Sequence, residues 1–163
     1  MSQSSKVRVV MVCLGNICRS PTAEAMFRQR AEHAGLAHLI EVDSSGTSDW
    51  HIGEAPDRRS QQAAKRRGYD LSTLRGRQAI AEDFDQFDYV LAMDEQNLRH
   101  LQRMCPEDYK GQLALFLDYG SSAVREVPDP YHGGSEGFET VLDLIEDASE
   151  GLLEDIRDRH LAG

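Results

Sequence analysis

The stretch from Val7 to Glu24, VRVVMVCLGNICRSPTAE, narrows the possible folds more than any other part of the chain. An apolar run, Val7 to Val12 with one Arg in it, ends in small and polar residues, and Pro21 then opens an amphipathic segment. Apolar runs without alternation belong to strands covered on both faces, so the stretch predicts a buried strand, a loop and a helix in succession. Pro is favoured at the first helical position, and Ser20 just before it is a good N-cap, which sets the expected helix start. A loop over a helix N-terminus meets unpaired N–H groups and the positive end of the helix dipole. Its expected guest is an anion.

Cys13 stands where the strand gives way to the loop, and Arg19 follows after five intervening residues. Backbone N–H groups and a guanidinium would converge there on one oxyanion, with a sulfur beneath its central atom. Such a field favours a thiolate, the nucleophilic form of cysteine. The planar fork of Arg can bond two oxygens of a tetrahedral oxyanion and hold them as charge shifts. A nucleotide-binding loop is disfavoured, because its GKS or GKT ending is absent.

CLGNICRS, from Cys13 to Ser20 with Leu14, Gly15, Asn16, Ile17 and Cys18 inside it, resembles the phosphate-binding loop of the low-molecular-weight protein tyrosine phosphatases. The resemblance runs from Val7 to about Leu153 and includes a second motif, VPDPYHGG, Val127 to Gly134. There Asp129 lies between two prolines, which restrain its backbone and present its side chain from the surface. A rigid, presented carboxyl suits a general acid. The DPY sequence matches the family's acid loop, which implies Asp129 as the acid and Tyr131 as one aromatic wall of a slot for a phenyl ring. Trp50, the only tryptophan, stands among polar residues and is implied as the facing wall. His132 replaces a second aromatic of many members and reads as a rim residue. Asp43 and Ser44 look like the family's Asp-Ser pair, with Ser44 helping Asn16 and Ser20 to hold the loop open. LSTLRGRQ, Leu71 to Gln78, departs from the pattern, with Thr73 where a His commonly follows the Ser.

The resemblance implies a phosphocysteine formed on Cys13, phosphate bound by Arg19 and the loop, and no cofactor or metal. It also implies Cys18 as redox partner of Cys13, through a reversible disulfide. Its partners would be phosphotyrosine proteins, a bacterial tyrosine kinase being one candidate, with phosphate as product. Three other readings share the loop. Arsenate reductases relay oxidation through further cysteines, whereas Cys105 stands alone here. Protein arginine phosphatases tend to carry Thr at the place of Ile17 and a smaller slot at that of Tyr131. A non-catalytic phosphotyrosine-binding module would be expected to lack Cys13, Arg19 or Asp129.

At 163 residues the chain reads as a single domain, 1–163, with room for a sizeable core. Three cysteines argue against a disulfide framework, and a net charge of −10 against a nucleic-acid-binding face. With no leader pattern and no apolar run of membrane length, the expectation is a soluble, cytoplasmic protein without a membrane partner. Apolar periodicity places helices at about Pro21 to Ala34, Arg58 to Arg67, after Asp94, and from Gly137 to His160. Strands fall at Val7 to Val12, Ile40 to Ser44, Tyr89 to Met93 and Leu113 to Leu117. The expected class is α/β, a four-stranded parallel sheet with helices on both faces and a ligand site at the C-terminal edge of the strands.

Overall fold

The computed structural model describes residues 6–130 and 135–161. Four strands, β1 (Val7–Cys13), β2 (Ile40–Gly46), β3 (Tyr89–Ala92) and β4 (Gln112–Leu115), form one sheet in the order β2-β1-β3-β4, and all pairings are parallel. The chain leaves β1 toward one neighbour, β2, and later returns on its other side as β3. This reversal places the C-terminal end of β1 at the crevice where ligands of open parallel sheets bind.

Because strand side chains alternate, β1 feeds two cores. Val9, Met11 and Cys13 join one, with α1 (Arg19–His33) and α5 (Ser135–Ile156); Val10 and Val12 join the other, with α3 (Asp83–Gln86) and α4 (Glu95–Met104). The expected apolar stripes are the buried ones. Ala23, Met26, Phe27 and Ala31 of α1, and Phe138, Val141, Leu142, Ile145, Ala148, Leu152 and Ile156 of α5, all lie in the first core. Gly35, at φ 75°, turns the chain away after α1. Helix α2 (Arg58–Arg66) opens on Asp57, whose carboxylate accepts from the N–H groups of Arg59 and Ser60.

The start of α1 differs from expectation. Cys18, not Ser20, is the N-cap residue and no side chain caps it, so Pro21 is the third helical residue. Proline is still tolerated there, since the first N–H groups of a helix have no intrahelical acceptor. The fourth strand ends at Leu115, and Phe116–Tyr119 coils into a 3-10 turn. Asp83–Gln86 closes one helical turn just before β3. After Ile156 the chain continues as a π turn, Arg157–Leu161. No helix among the described residues is long and apolar enough to cross a membrane.

Candidate active site

Strand β1 delivers Cys13 to the C-terminal edge of the sheet, opposite Gly46 of β2. A Cβ on Gly46 would stand 2.7 Å from the Leu14 carbonyl oxygen and 3.1 Å from the Asn16 nitrogen. Only glycine lets the loop pass this close. The loop then turns at Asn16, which holds φ 58°, a region that asparagine tolerates better than most residues.

The Asn16 side chain secures that turn from three directions. Its Nδ2 donates to Ser20 Oγ (2.8 Å) and Ser44 Oγ (3.0 Å), and its Oδ1 accepts the N–H of Arg77 (3.0 Å). The Asn16 N–H donates to Cys13 Sγ at 3.3 Å. Ser20 Oγ lies 3.0 Å from the same sulfur and 3.3 Å from the Ser45 carbonyl. Since Ser20 accepts from Asn16, its own hydrogen is left for the sulfur or that carbonyl. This explains why Ser20 does not cap α1. Ser44 in turn donates to Glu24 (2.6 Å), which is buried and also bound by Arg28. Burial pushes the Glu24 carboxyl up, against the opposing bonds from Ser44 and Arg28.

Arg19 is 3% exposed. Its Nη1 donates to Asp94 Oδ2 (2.7 Å) and to the Val127 carbonyl (3.0 Å), while Nη2 lies 3.9 Å from Asp129 Oδ2. Burial alone would pull the guanidinium down, but Cys13, Asp94 and Asp129 outweigh it and the net direction is up. Asp94 also caps α4, where its carboxylate accepts the Asn97 N–H (2.8 Å) and its own N–H donates to Asn97 Oδ1. Val127 N–H donates to the Met93 carbonyl just past β3, so the segment carrying Asp129 starts from the sheet edge.

Cys13 and Arg19 lie in a cavity of about 290 Å³, with Leu14, Gly15, Ile17, Cys18, Trp50, His51 and Asp129 as the other lining residues. Among the described residues, the N–H groups of Gly15, Ile17 and Cys18 find no acceptor. These donors are available to an anion in the cavity. Trp50 stands at the mouth, 66% exposed. Cys18 is buried, and burial pushes its thiol up to about 12, with a hydrogen bond to Ser60 opposing. Both loop cysteines are free thiols. No cluster of His, Cys, Asp or Glu suited to a metal ion occurs among the described residues.

The structure thus brings together Cys13, the loop, Arg19, Ser20, Ser44, Trp50 and Asp129. Tyr131 and His132 lie outside the described residues. Thr73 is exposed, and the loop support seen from this segment is the Arg77 N–H bonded to Asn16 Oδ1. Four site residues escaped sequence reasoning or were read for another role: Glu24, Arg77, His51 and Asp94. His51 did carry a signal, as the neighbour of Trp50 in a polar loop. Its Nδ1 is bonded to Glu54 at 3.0 Å.

A thiol beneath free loop N–H groups, at a helix N-terminus and beside a buried guanidinium, defines a phosphate-handling α/β protein. Comparison with known proteins gives the particular family. The model of the low molecular weight phosphotyrosine protein phosphatases matches residues 8–161, and the chain belongs to that family. It is 45% identical over 156 residues to a low molecular weight protein-tyrosine-phosphatase of Streptomyces coelicolor, covering 93% of this chain and 94% of the relative. The crystal structure of a protein tyrosine phosphatase from Entamoeba histolytica superposes with a TM-score of 0.90 at 39% identity, covering 94% of this chain and 98% of that one. A Drosophila arginine phosphatase superposes with a TM-score of 0.85 at 33% identity, covering 91% and 97%.

Proposed function

We propose that the chain hydrolyses phosphotyrosine in protein substrates by a two-step displacement on Cys13. The reading rests on one juxtaposition: Cys13, Arg19 and Asp129 line the same small cavity, the nucleophile among free N–H donors and the carboxylate at the rim. The Cys13 thiolate attacks phosphorus while the loop N–H groups and Arg19 bind the equatorial oxygens, and Asp129 protonates the departing phenolic oxygen. Water, deprotonated by Asp129, then displaces the sulfur and releases phosphate. Ser20 donates to the sulfur and makes it a better leaving group, and Ser44 and Asn16 keep the loop open. Trp50 forms one wall of the aromatic slot, with Tyr131 the proposed opposite wall and His132 on the rim. Loop and guanidinium provide the neutralisation of phosphate charge, so no cofactor is invoked.

The proposed setting is cytoplasmic, with phosphotyrosine proteins as substrates, a tyrosine kinase among the candidates. Cys18 is proposed as the redox partner of Cys13. Burial keeps the Cys18 thiol protonated, whereas the Cys13 sulfur accepts the Asn16 N–H and lies beside Arg19, so Cys13 is proposed as the thiol that peroxide oxidises first. An arsenate reductase would need a further relay cysteine. Cys105 follows the C-terminal end of α4 and packs in the second core, which speaks against it.

The test is hydrolysis of a phosphotyrosine peptide in chelator, with phosphoarginine and arsenate in parallel, by wild type, Cys13→Ser and Asp129→Ala. Phosphotyrosine turnover lost in Cys13→Ser and strongly reduced in Asp129→Ala is the expected result. Turnover of phosphoarginine or arsenate alone would overturn the substrate assignment, and phosphate binding without turnover would overturn the enzymatic one.

A further inference from the structure

Helix α2 concentrates positive charge in a chain whose net charge is −10: Arg58, Arg59, Lys65 and Arg66, with Arg67 directly after it. The last two are used inside the fold. Arg67 pairs with Glu139, Asp143 and Glu146, and Arg66 with Glu139. Arg59 lies over the Phe138 ring at 5.0 Å. Arg58 and Lys65, by contrast, are exposed and make no ion pair among the described residues. They share one helix face with Gln61 and Gln62, and that face borders a groove of about 710 Å³ whose other wall is Tyr69 to Ser72.

The near end of this groove adjoins the phosphate loop. The N–H of Asp57, which precedes α2, donates to the Ile17 carbonyl at 2.7 Å, and Ser60 in the first turn is hydrogen-bonded to Cys18. Arg58 is therefore next to the cavity, and Lys65 lies about 10 Å further along the helix, the span of about three extended residues. The described loops that flank the cavity carry Asp49, Glu54 and Asp129, with Glu54 bonded to His51. Asp70 is the one carboxylate of the groove wall; its Oδ1 accepts the Ser72 N–H, and its charge is felt by Lys65, which has no ion pair with it.

We propose that this groove docks an acidic segment of the substrate polypeptide lying on one side of its phosphotyrosine. The proposal rests on the phosphotyrosine reading above. Carboxylates about three residues apart meet Arg58 and Lys65, and the Gln62 amide bonds a peptide group between them. An acidic segment on the other side of the phosphotyrosine cannot reach this groove, so the preference is one-sided.

The experiment compares kcat/KM for three phosphotyrosine peptides, acidic before the phosphotyrosine, acidic after it, and uncharged on both sides, with 4-nitrophenyl phosphate as a substrate that cannot reach α2. The enzymes are wild type, Lys65→Glu and Gln62→Glu, both substitutions at exposed positions. Wild type is expected to favour one of the two acidic peptides over the uncharged one by about 5-fold at low salt, and less as salt is raised. Each variant is expected to erase that preference while turning over 4-nitrophenyl phosphate as wild type does. Equal turnover of all three peptides by wild type would overturn the proposal, as would a one-sided preference that survives both variants. Failure to turn over even 4-nitrophenyl phosphate would instead overturn the parent reading, and the docking role with it.

Discussion

The two halves of the site are built in opposite ways. The phosphate loop is over-determined: Cys13, Asn16, Arg19 and Ser20 are all buried, and Asn16 alone is tied to Ser20, Ser44 and Arg77. The acid segment is held at its origin, where Val127 bonds Met93 and Arg19, and the Asp129 side chain two residues later is 45% exposed. The difference fits what the proposed mechanism asks of each half. A cradle for developing charge works best when its dipoles are fixed in advance, since reorganisation during the reaction would cost energy. A proton donor has to reach substrates that differ in size, and a solvent-facing side chain can do so.

This contrast can be broken by substitution. Asp129→Ala is expected to lower kcat by ~10² to 10⁴ with little change in KM. Its thermal midpoint should stay within about 2 °C of wild type, because an exposed side chain carries little of the fold. A large loss of stability would show that the acid segment is as structural as the loop. Asn16→Ala should do both kinds of damage. It removes three buried hydrogen bonds and places alanine at a positive φ, a cost of about 3 kcal/mol, or roughly 6 to 12 °C, measured by thermal unfolding. Activity should fall about 10- to 100-fold as the loop loses its shape.

Asp94→Asn sharpens the contrast. Asparagine caps a helix as well as aspartate does, so α4 should persist with stability changed by under about 1 kcal/mol. The bond to Arg19 loses its charge, and kcat should fall about 10-fold in steady-state assays. Equal losses in stability and activity would mean that the helix cap, not the guanidinium, is what Asp94 serves.

The smallest expected effect is on the pH dependence of stability. The folded Glu24 carboxyl is raised above its ordinary value of 4.5, so the folded chain keeps this proton to higher pH than the unfolded one. Above 4.5 the unfolded state loses it first, and stability falls as pH rises through that window. In Glu24→Gln this component should vanish, leaving a flatter profile between the ordinary value and the raised one. Denaturant titrations at a series of pH values measure the slope, and an unchanged slope would refute the assignment.

Legibility in the sequence followed the range of the interactions. The strand, loop and helix around Cys13 were readable because their signals are contiguous: an apolar run, small residues, then Pro21. The helix after Asp94 was likewise readable, since its cap bonds the N–H of Asn97 only three residues on. What Asp94 does for Arg19, 75 residues away, leaves no local trace. The same holds for Arg77, whose backbone N–H supports Asn16 whatever side chain it carries. Ser20 misled in an instructive way. Serine before proline is a helix-start signal, but here the hydroxyl had a stronger claim on it from the sulfur and Asn16, and the helix began two residues earlier, at Arg19, without a side-chain cap. The four-residue helix at Asp83 was too short to show a period.

The anchoring of one residue, Val127, has a mechanical consequence. Its N–H is pinned to the sheet edge and its carbonyl to the guanidinium that lies at the cavity floor. The carboxyl proposed as proton donor therefore hangs on a tether anchored to the proposed phosphate-binding group, and two residues of chain reach at most about 7 Å. Any tilt of Arg19 on engaging an oxyanion moves the anchor, and with it the arc that the carboxyl can sweep. On the proposed mechanism, the arginine that receives the phosphate also holds the point from which the acid swings.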